Sequence, residues 1–547
     1  MDKRRLESLR RHSGELENHL IDEYTAGHIS RRELLRRGTV LGLSLPALGL
    51  FGTDVAGATT RSARPGAARP AQSGGTVRVG IITPAGAINP LTIADQGGLD
   101  MLGQTGEYLC LSTQQLRLQP VLATSWSANS TATVWTFKIR QGVKFSNGSP
   151  LTADDVVYTY QLHTNPKNGS EALSAFKGVL TNTGVVKVDD HTVAFHLEAP
   201  NGNFPYLCSS DNYNMIILPN GYDPTKWQSS FIGTGPWKLQ SYQTNIGASF
   251  VRNDNYWGPR AKPSAAHFTF YATAAPSVLA LQSGTIDVLG QFAVSGGQAL
   301  LNGNYNVIKL QSSAHRELSM RCDMRPFNDP RVRQALALSL NRPGLVSALF
   351  QGYAAPGNDS PFAPVFPSTV KLPQRNVNVQ KAKALLAAAG YPKGFSTTLY
   401  TENFLEIPQL AAYIGQAAAA IGVNISLQVD NQGVYYDKYW LSGTMSLVDY
   451  GNRSVPNVFL TAPLESNGPW NAAHFSNKTY DGLVKQYVAA VDLSTQRNVA
   501  GKIEQLLLNE TPIIYPYFYD YLSATSKNVH GAYPTAIGHI FVNNVTM

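Results

Sequence analysis

Cysteine is nearly absent from this chain: Cys110, Cys208 and Cys322 are the only three in 547 residues. So few and so scattered, they permit at most one internal bridge with a thiol left over, and they cannot assemble a zinc site. Charge is sparse as well. Lys, Arg, Asp and Glu make up 15% of the chain, beside 10% aromatics, 47 Gly and 32 Pro, which excludes a disordered or fibrous protein and describes a loop-rich folded one. The longest apolar run, Thr39 to about Gly52, is interrupted by Ser44 and Pro46 and falls short of the roughly 20 residues a membrane span needs. Neither a Gly-x-Ser-x-Gly nucleophile elbow nor a His-Glu-x-x-His zinc helix is present. Gly233-Thr234-Gly235-Pro236-Trp237 lacks the Lys-Ser/Thr of a phosphate loop and the third glycine of a dinucleotide fingerprint. It reads as a turn that packs Trp237, and no cofactor is expected.

The formal charge of +8 is thinly spread, with nine Lys/Arg against eight Asp/Glu up to Ala58. No basic run with interleaved aromatics follows, so nucleic-acid binding is not expected. A chain of this length exceeds one core, and two or three domains follow from surface-to-volume scaling. Ser30-Arg31-Arg32-Glu33-Leu34-Leu35-Arg36 resembles the twin-arginine export motif, and Ala56-Gly57-Ala58 offers small residues for a peptidase. Residues 1–58 are therefore read as a twin-arginine signal region and 59–75, rich in Ala, Pro, Arg, Ser and Gly, as a flexible leader. The expected compartment is outside the cytoplasm, periplasmic or on the cell-surface side of the membrane, reached through the twin-arginine translocase. No cysteine follows the apolar run to carry a lipid anchor.

The most informative stretch is Trp135 to Tyr160. Trp135, Phe137 and Ile139 alternate with Thr136, Lys138 and Arg140, as a half-buried strand requires. Asn147-Gly148 suits a tight turn. Thr152 then stands as N-cap with Asp155 at N3, while Leu151 and Val156 flank the cap as an apolar staple; the acidic pair Asp154-Asp155 is read as capping. With Leu118-Gln-Pro-Val-Leu-Ala-Thr-Ser-Trp126 upstream, the stretch resembles the signature region of the family 5 extracellular solute-binding proteins, receptors of peptide, nickel and related ABC importers. Asn255-Tyr256-Trp257-Gly258, Ala280 through Asp287, Asp329 through Arg342 and Ala382 through Tyr391 carry the resemblance to nearly the whole chain after about residue 75.

That resemblance implies an α/β, two-lobed periplasmic-binding-protein-like fold of class C, with an extra subdomain in the first lobe and a hinge between lobes. Lobe I is expected over 76–304 and 523–547, with the subdomain at about 111–230, and lobe II over 305–522. Local signals agree with a helical second half. Asp329-Pro330 is a cap followed by proline at N1, helices are expected over Gln380–Ala389 and Leu410–Ile421, and Val423 to Val429 alternates as a strand. Tyr515, Tyr517, Tyr519 and Tyr521 read as alternating along one strand.

The implied function is a non-enzymatic receptor, expected as a monomer, that captures an oligopeptide-like or other small solute by hinge closure and hands it to an ABC permease with its ATPase subunits. A nickel-chelate or oligosaccharide receptor of the same fold is the alternative, and a secreted hydrolase the rival class. For the site, Asp449-Tyr450-Gly451-Asn452-Arg453 is the leading candidate. Aligned through Pro456, Asn452 falls where peptide-binding members carry an aspartate that pairs with an α-ammonium. A neutral amide followed by Arg453 cannot supply that charge and favours an anionic or neutral group; a shifted alignment puts Asp449 in the role. Trp470, on a Gly-Pro loop, is a candidate aromatic platform, and Tyr436 lies in a dense patch with Tyr435, Tyr439 and Trp440. Glu107 stands where the family has an E-x-L element.

Overall fold

The computed structural model describes residues 74–93 and 95–547. Residues 1–58, read above as an export signal, and almost all of 59–75, read as a leader, lie outside the described residues. Thr76–Ile82 is the central strand of the first sheet, buried at Val77, Val79 and Ile81. It runs parallel to Ala265–Tyr271 on one side and to Val288–Phe292 on the other. Gly247–Arg252 and Trp237–Gln243 extend one flank, while Tyr521–Ser526 and Tyr305–Leu310 extend the other, giving seven strands. A four-stranded antiparallel sheet from residues 123–196 shares its core with this sheet through Trp135, Phe137, Tyr160 and Phe195. Its helix Ala153–Thr164 starts with the reciprocal cap read from sequence: Thr152 N donates to Asp155 Oδ2 at 2.7 Å. The second Asp155 oxygen accepts from Asn220 N at 2.8 Å, and Asp154 pairs with Lys187 at 2.7 Å.

The second sheet orders Ala354–Pro356, Tyr517–Tyr519, His315–Met320, Met445–Tyr450, Phe395–Glu402 and Val423–Asp430, with Ile513–Ile514 paired to His315–Met320. Helix Pro330–Ser339 begins at the Asp329 cap, Val379–Ala388 and Ile407–Ala419 occupy the places expected for helices, and Asn341 caps a further helix, Arg342–Phe350. Two segments join the sheets. Residues 311–314 lead from Tyr305–Leu310 to His315–Met320, and Asp520 leads back from Tyr517–Tyr519 to Tyr521–Ser526. A pair of short crossovers is what a hinge between lobes requires.

Two expectations are corrected here. Lobe II was expected to begin at 305, but Tyr305–Leu310 pairs along its whole length with Tyr521–Ser526 in the first sheet, so the passage comes at 311–314. The four tyrosines do not share one strand. Tyr515 lies between strands beside Pro516, which lacks an N–H for a ladder, Tyr517 and Tyr519 share a strand of the second sheet, and beyond the crossover at Asp520 Tyr521 opens a strand of the first.

The glycine loop at 233–235 packs as a turn. A Cβ on Gly233 would lie 1.9 Å from Thr105 O, Gly235 N donates to that same carbonyl at 2.9 Å, and Trp237 is buried. Close backbone approach therefore accounts for these glycines without a phosphate. Among the described residues, no helix is long and apolar enough to cross a membrane.

Candidate solute site beside the crossovers

In open α/β sheets, ligands settle at the carboxyl ends of parallel strands. Phe395–Glu402 and Met445–Tyr450 are such a parallel pair, ending in Glu402 and in Asp449-Tyr450. The antiparallel neighbour His315–Met320 starts at that same end, placing His315 opposite Tyr450 and Arg316 opposite Asp449. Since His315 directly follows the crossover, this sheet end adjoins the first lobe.

Arg316 is fully buried and pairs with Asp449 and, at 2.9 Å, with Glu406, the residue that opens helix Ile407–Ala419. Its guanidinium lies 4.5 Å from the Tyr519 ring centroid. Tyr517 Oη donates to Glu406 at 2.7 Å and Tyr519 Oη to Asp449 at 3.3 Å. Glu402 is buried and accepts from Gln432 Nε2 at 2.7 Å and Tyr436 Oη at 3.2 Å. Burial holds its pKa above the ordinary carboxylate range, the Gln432 bond opposes that rise, and Asp449's charge adds to it. Two carboxylates thus pair with one guanidinium, and a third, Glu402, is held nearby by Gln432 and Tyr436.

A second polar group bridges the lobes. Asn452 Oδ1 accepts from Ser313 N at 2.7 Å, and Ser313 Oγ accepts from Arg453 N at 2.8 Å, so the crossover is fastened to the loop after Met445–Tyr450. Asn452 Nδ2 is buried without a partner. From the first lobe, Asp211 accepts Ser454 N at 3.0 Å and Ser454 Oγ at 2.5 Å, and Ser112 Oγ lies 2.5 Å from Ser454 Oγ. Burial pushes Asp211 up to about 6, against the Ser454 donors and the positive charge of Arg453.

The structure therefore brings Asp449, Tyr450, Asn452 and Arg453 to one sheet end. Tyr450 stacks on Trp470 with centroids 5.7 Å apart, and Tyr436 reaches Glu402. Glu107 stands apart: its carboxylate accepts from Trp257 Nε1 at 2.8 Å and Tyr256 Oη at 3.2 Å, both in the first lobe. Burial pushes it up to about 7. Arg316, Glu402, Glu406 and Asp211 were not singled out from sequence. The available signal was His315-Arg316-Glu317, three polar residues within a strand whose six residues are all buried, an arrangement that demands partners.

Two lobes joined by paired crossovers, with polar groups on facing walls, define a cleft receptor. The family model for bacterial extracellular solute-binding proteins, family 5 Middle, matches residues 117–470, and the chain belongs to that family. It is an extracytoplasmic solute-binding receptor of the ABC-importer class, not an enzyme. Dipeptide-binding protein DppE of Bacillus subtilis (strain 168) is 26% identical over 459 residues, 77% of this chain and 82% of that protein. Glutathione-binding protein GsiB of Escherichia coli (strain K12) is 25% identical over 439 residues, 76% and 84% of the two chains. The solved structure of HbpA2 from Haemophilus parasuis shares the fold, with a TM-score of 0.76 at 24% identity, covering 86% of this chain and 99% of that one.

Proposed function

We propose that this receptor captures a small peptide-like solute between its lobes and delivers it, unaltered, to an ABC permease driven by separate ATPase subunits. It acts as a monomer, exported through the twin-arginine translocase to the periplasmic or cell-surface side of the membrane. The observation that carries this reading is the position of the polar sheet end: Arg316, Asp449 and Asn452 lie at or just beyond strand ends next to the 311–314 crossover. A solute held there touches both walls only when the lobes are together, so its differential affinity stabilises that state. Relatives named for dipeptide and glutathione binding support a peptide-like ligand. The ligand-contacting residues of this reading are Asp449, Asn452, Trp470 and Tyr436. Arg453 acts at the interlobe contact through Asp211 instead of presenting a free cation to the solute. Asn452, its Oδ1 occupied and its Nδ2 free, offers a donor to a carbonyl or carboxylate oxygen.

Native mass spectrometry of the exported protein, taken from its own source and then exposed to a pool of two- to five-residue peptides, tests the reading. A retained solute that exchanges with members of the pool and leaves with unchanged mass is expected. No retention and no exchange, or release of a cleaved product, would overturn it.

A further inference from the structure

Apart from the crossovers and the Ser454 contact, the lobes meet at a further place. Gly202 N, in the first lobe, donates to Val488 O of the second at 2.8 Å. Asn203 Nδ2 donates to Asn457 Oδ1 at 2.9 Å, and Gln496 Nε2 donates back to Asn203 Oδ1 at 3.1 Å. Only glycine allows this approach, because a Cβ at Gly202 would lie 2.0 Å from Ala490 O. Residues of this clasp, together with Ser454, border a cavity of about 300 Å³. Trp126 and Tyr206 supply its first-lobe wall, and Phe366, Tyr487, Val491 and Leu493 its second-lobe wall. Arg316, Asp449 and Glu402 take no part in it.

Its chemistry is unlike that of the polar sheet end. Among the described residues, no charged side chain lines the cavity. The polar atoms of its walls are engaged with one another: Tyr487 Oη lies 2.7 Å from Ser368 Oγ, Tyr206 Oη donates to Leu116 O at 3.0 Å, and Trp135 Nε1 donates to Asn201 O at 3.0 Å. Nothing in the lining therefore calls for a polar guest. Apolar cavities stay dry and accept apolar molecules; one of about 150 Å³ holds benzene. Protein interiors are close-packed, with few voids larger than a water molecule, so a space of this size between interlocked lobes is more than a packing gap. It also has an entrance, since Val491 is 50% and Leu493 39% exposed.

We infer that this cavity is a second binding site, separate from the solute site, which takes a small uncharged aromatic or apolar molecule and favours the joined lobes. The inference goes beyond the receptor reading. A guest touches both walls only when the clasp is made, so it binds the joined state better than the parted one. Coupling between two sites is reciprocal: a guest that favours joining tightens solute capture, and the solute tightens the guest.

Calorimetric titration of the full exported chain with indole, and with phenyl phosphate as its charged counterpart, tests this. Indole should bind saturably, phenyl phosphate should not, and small-angle scattering should show indole lowering the radius of gyration. Saturating indole should tighten binding of a peptide from the pool by about fivefold or more. Val491→Trp, at the exposed mouth, puts an indole ring of the chain's own into the cavity. It should abolish indole binding and the coupling while the peptide still binds; Leu493→Trp is the second variant from the same mouth. Absence of indole binding to the unaltered protein overturns the inference, as does indole binding unchanged in both variants. Indole that competes with the peptide overturns it as well, because the cavity then belongs to the solute site. Indole binding that is lost in the variants, with no member of the pool bound, removes the receptor reading and leaves the second site standing.

Discussion

Replacing Asp211 with asparagine changes the charge of the interlobe contact while keeping its shape. The amide oxygen can still accept from Ser454 N, and the amide nitrogen can donate to the Ser454 or Ser112 hydroxyl. In the joined state Asp211 is surrounded by Ser112, Ser454, Arg453, Tyr206 and Cys110, and burial raises it from an ordinary 3.8 to about 6. Once the lobes part and water reaches the group, the ordinary value returns. The joined state therefore holds the proton more tightly, and ionisation above pH 6 works against it. Two units correspond to at most about 3 kcal/mol, less after solvent screening at the cleft edge. Between pH 7 and 4.5 the joined population should rise on the order of tenfold. Asp211→Asn should remove that response and hold the lobes together at pH 7. Small-angle scattering across the pH series on both proteins is the assay. Glu107 and Glu504 are also raised to about 7, but each is bonded within a single lobe, so they bear on unfolding and leave the lobe angle alone. A pH response in Asp211→Asn equal to that of the unaltered protein would refute the reasoning.

Other substitutions have defined outcomes. Glu107→Gln keeps the acceptor for Trp257 Nε1 and removes a buried charge, so it should raise the melting temperature at pH 8, and the gain should shrink as pH falls through about 7 and be gone below the ordinary 4.5, read by thermal scans across that range. Arg316→Met leaves Asp449, Glu406 and Glu402 facing one another, and should cost about 3–5 kcal/mol in urea denaturation. Gly233→Ala pushes a methyl group against Thr105 O and should lower stability by about 1–3 kcal/mol in the same measurement.

Local signals in the chain were legible where a few neighbouring residues settle the outcome. The Thr152–Asp155 cap and the Asp329-Pro330 helix start appear in the structure as the residues imply, and the Val423 to Val429 stretch is a strand, but of its apolar side only Val423 is buried while Leu427 and Val429 are exposed. Pairings between distant segments were not. Tyr305–Leu310 joins the first sheet because Tyr521–Ser526 lies beside it, which no nearby residue announces. The four-tyrosine alternation was real in spacing, yet the strand is interrupted where the chain changes sheets. The carboxylate cluster was hidden for the same reason: Arg316 meets Glu406 from 90 residues away and Asp449 from 133. Glu107 drew notice through its motif, but only the fold reveals Trp257, 150 residues on, bonded to its carboxylate.

The central claim is that two lobes, joined through 311–314 and Asp520, close around a solute held at the Arg316–Asp449 sheet end. Small-angle scattering of the solute-free protein before and after adding the solute recovered by native mass spectrometry tests it most directly. A fall in the radius of gyration, lost in a variant that no longer binds, is the predicted result. A saturating solute that leaves the radius unchanged would contradict it.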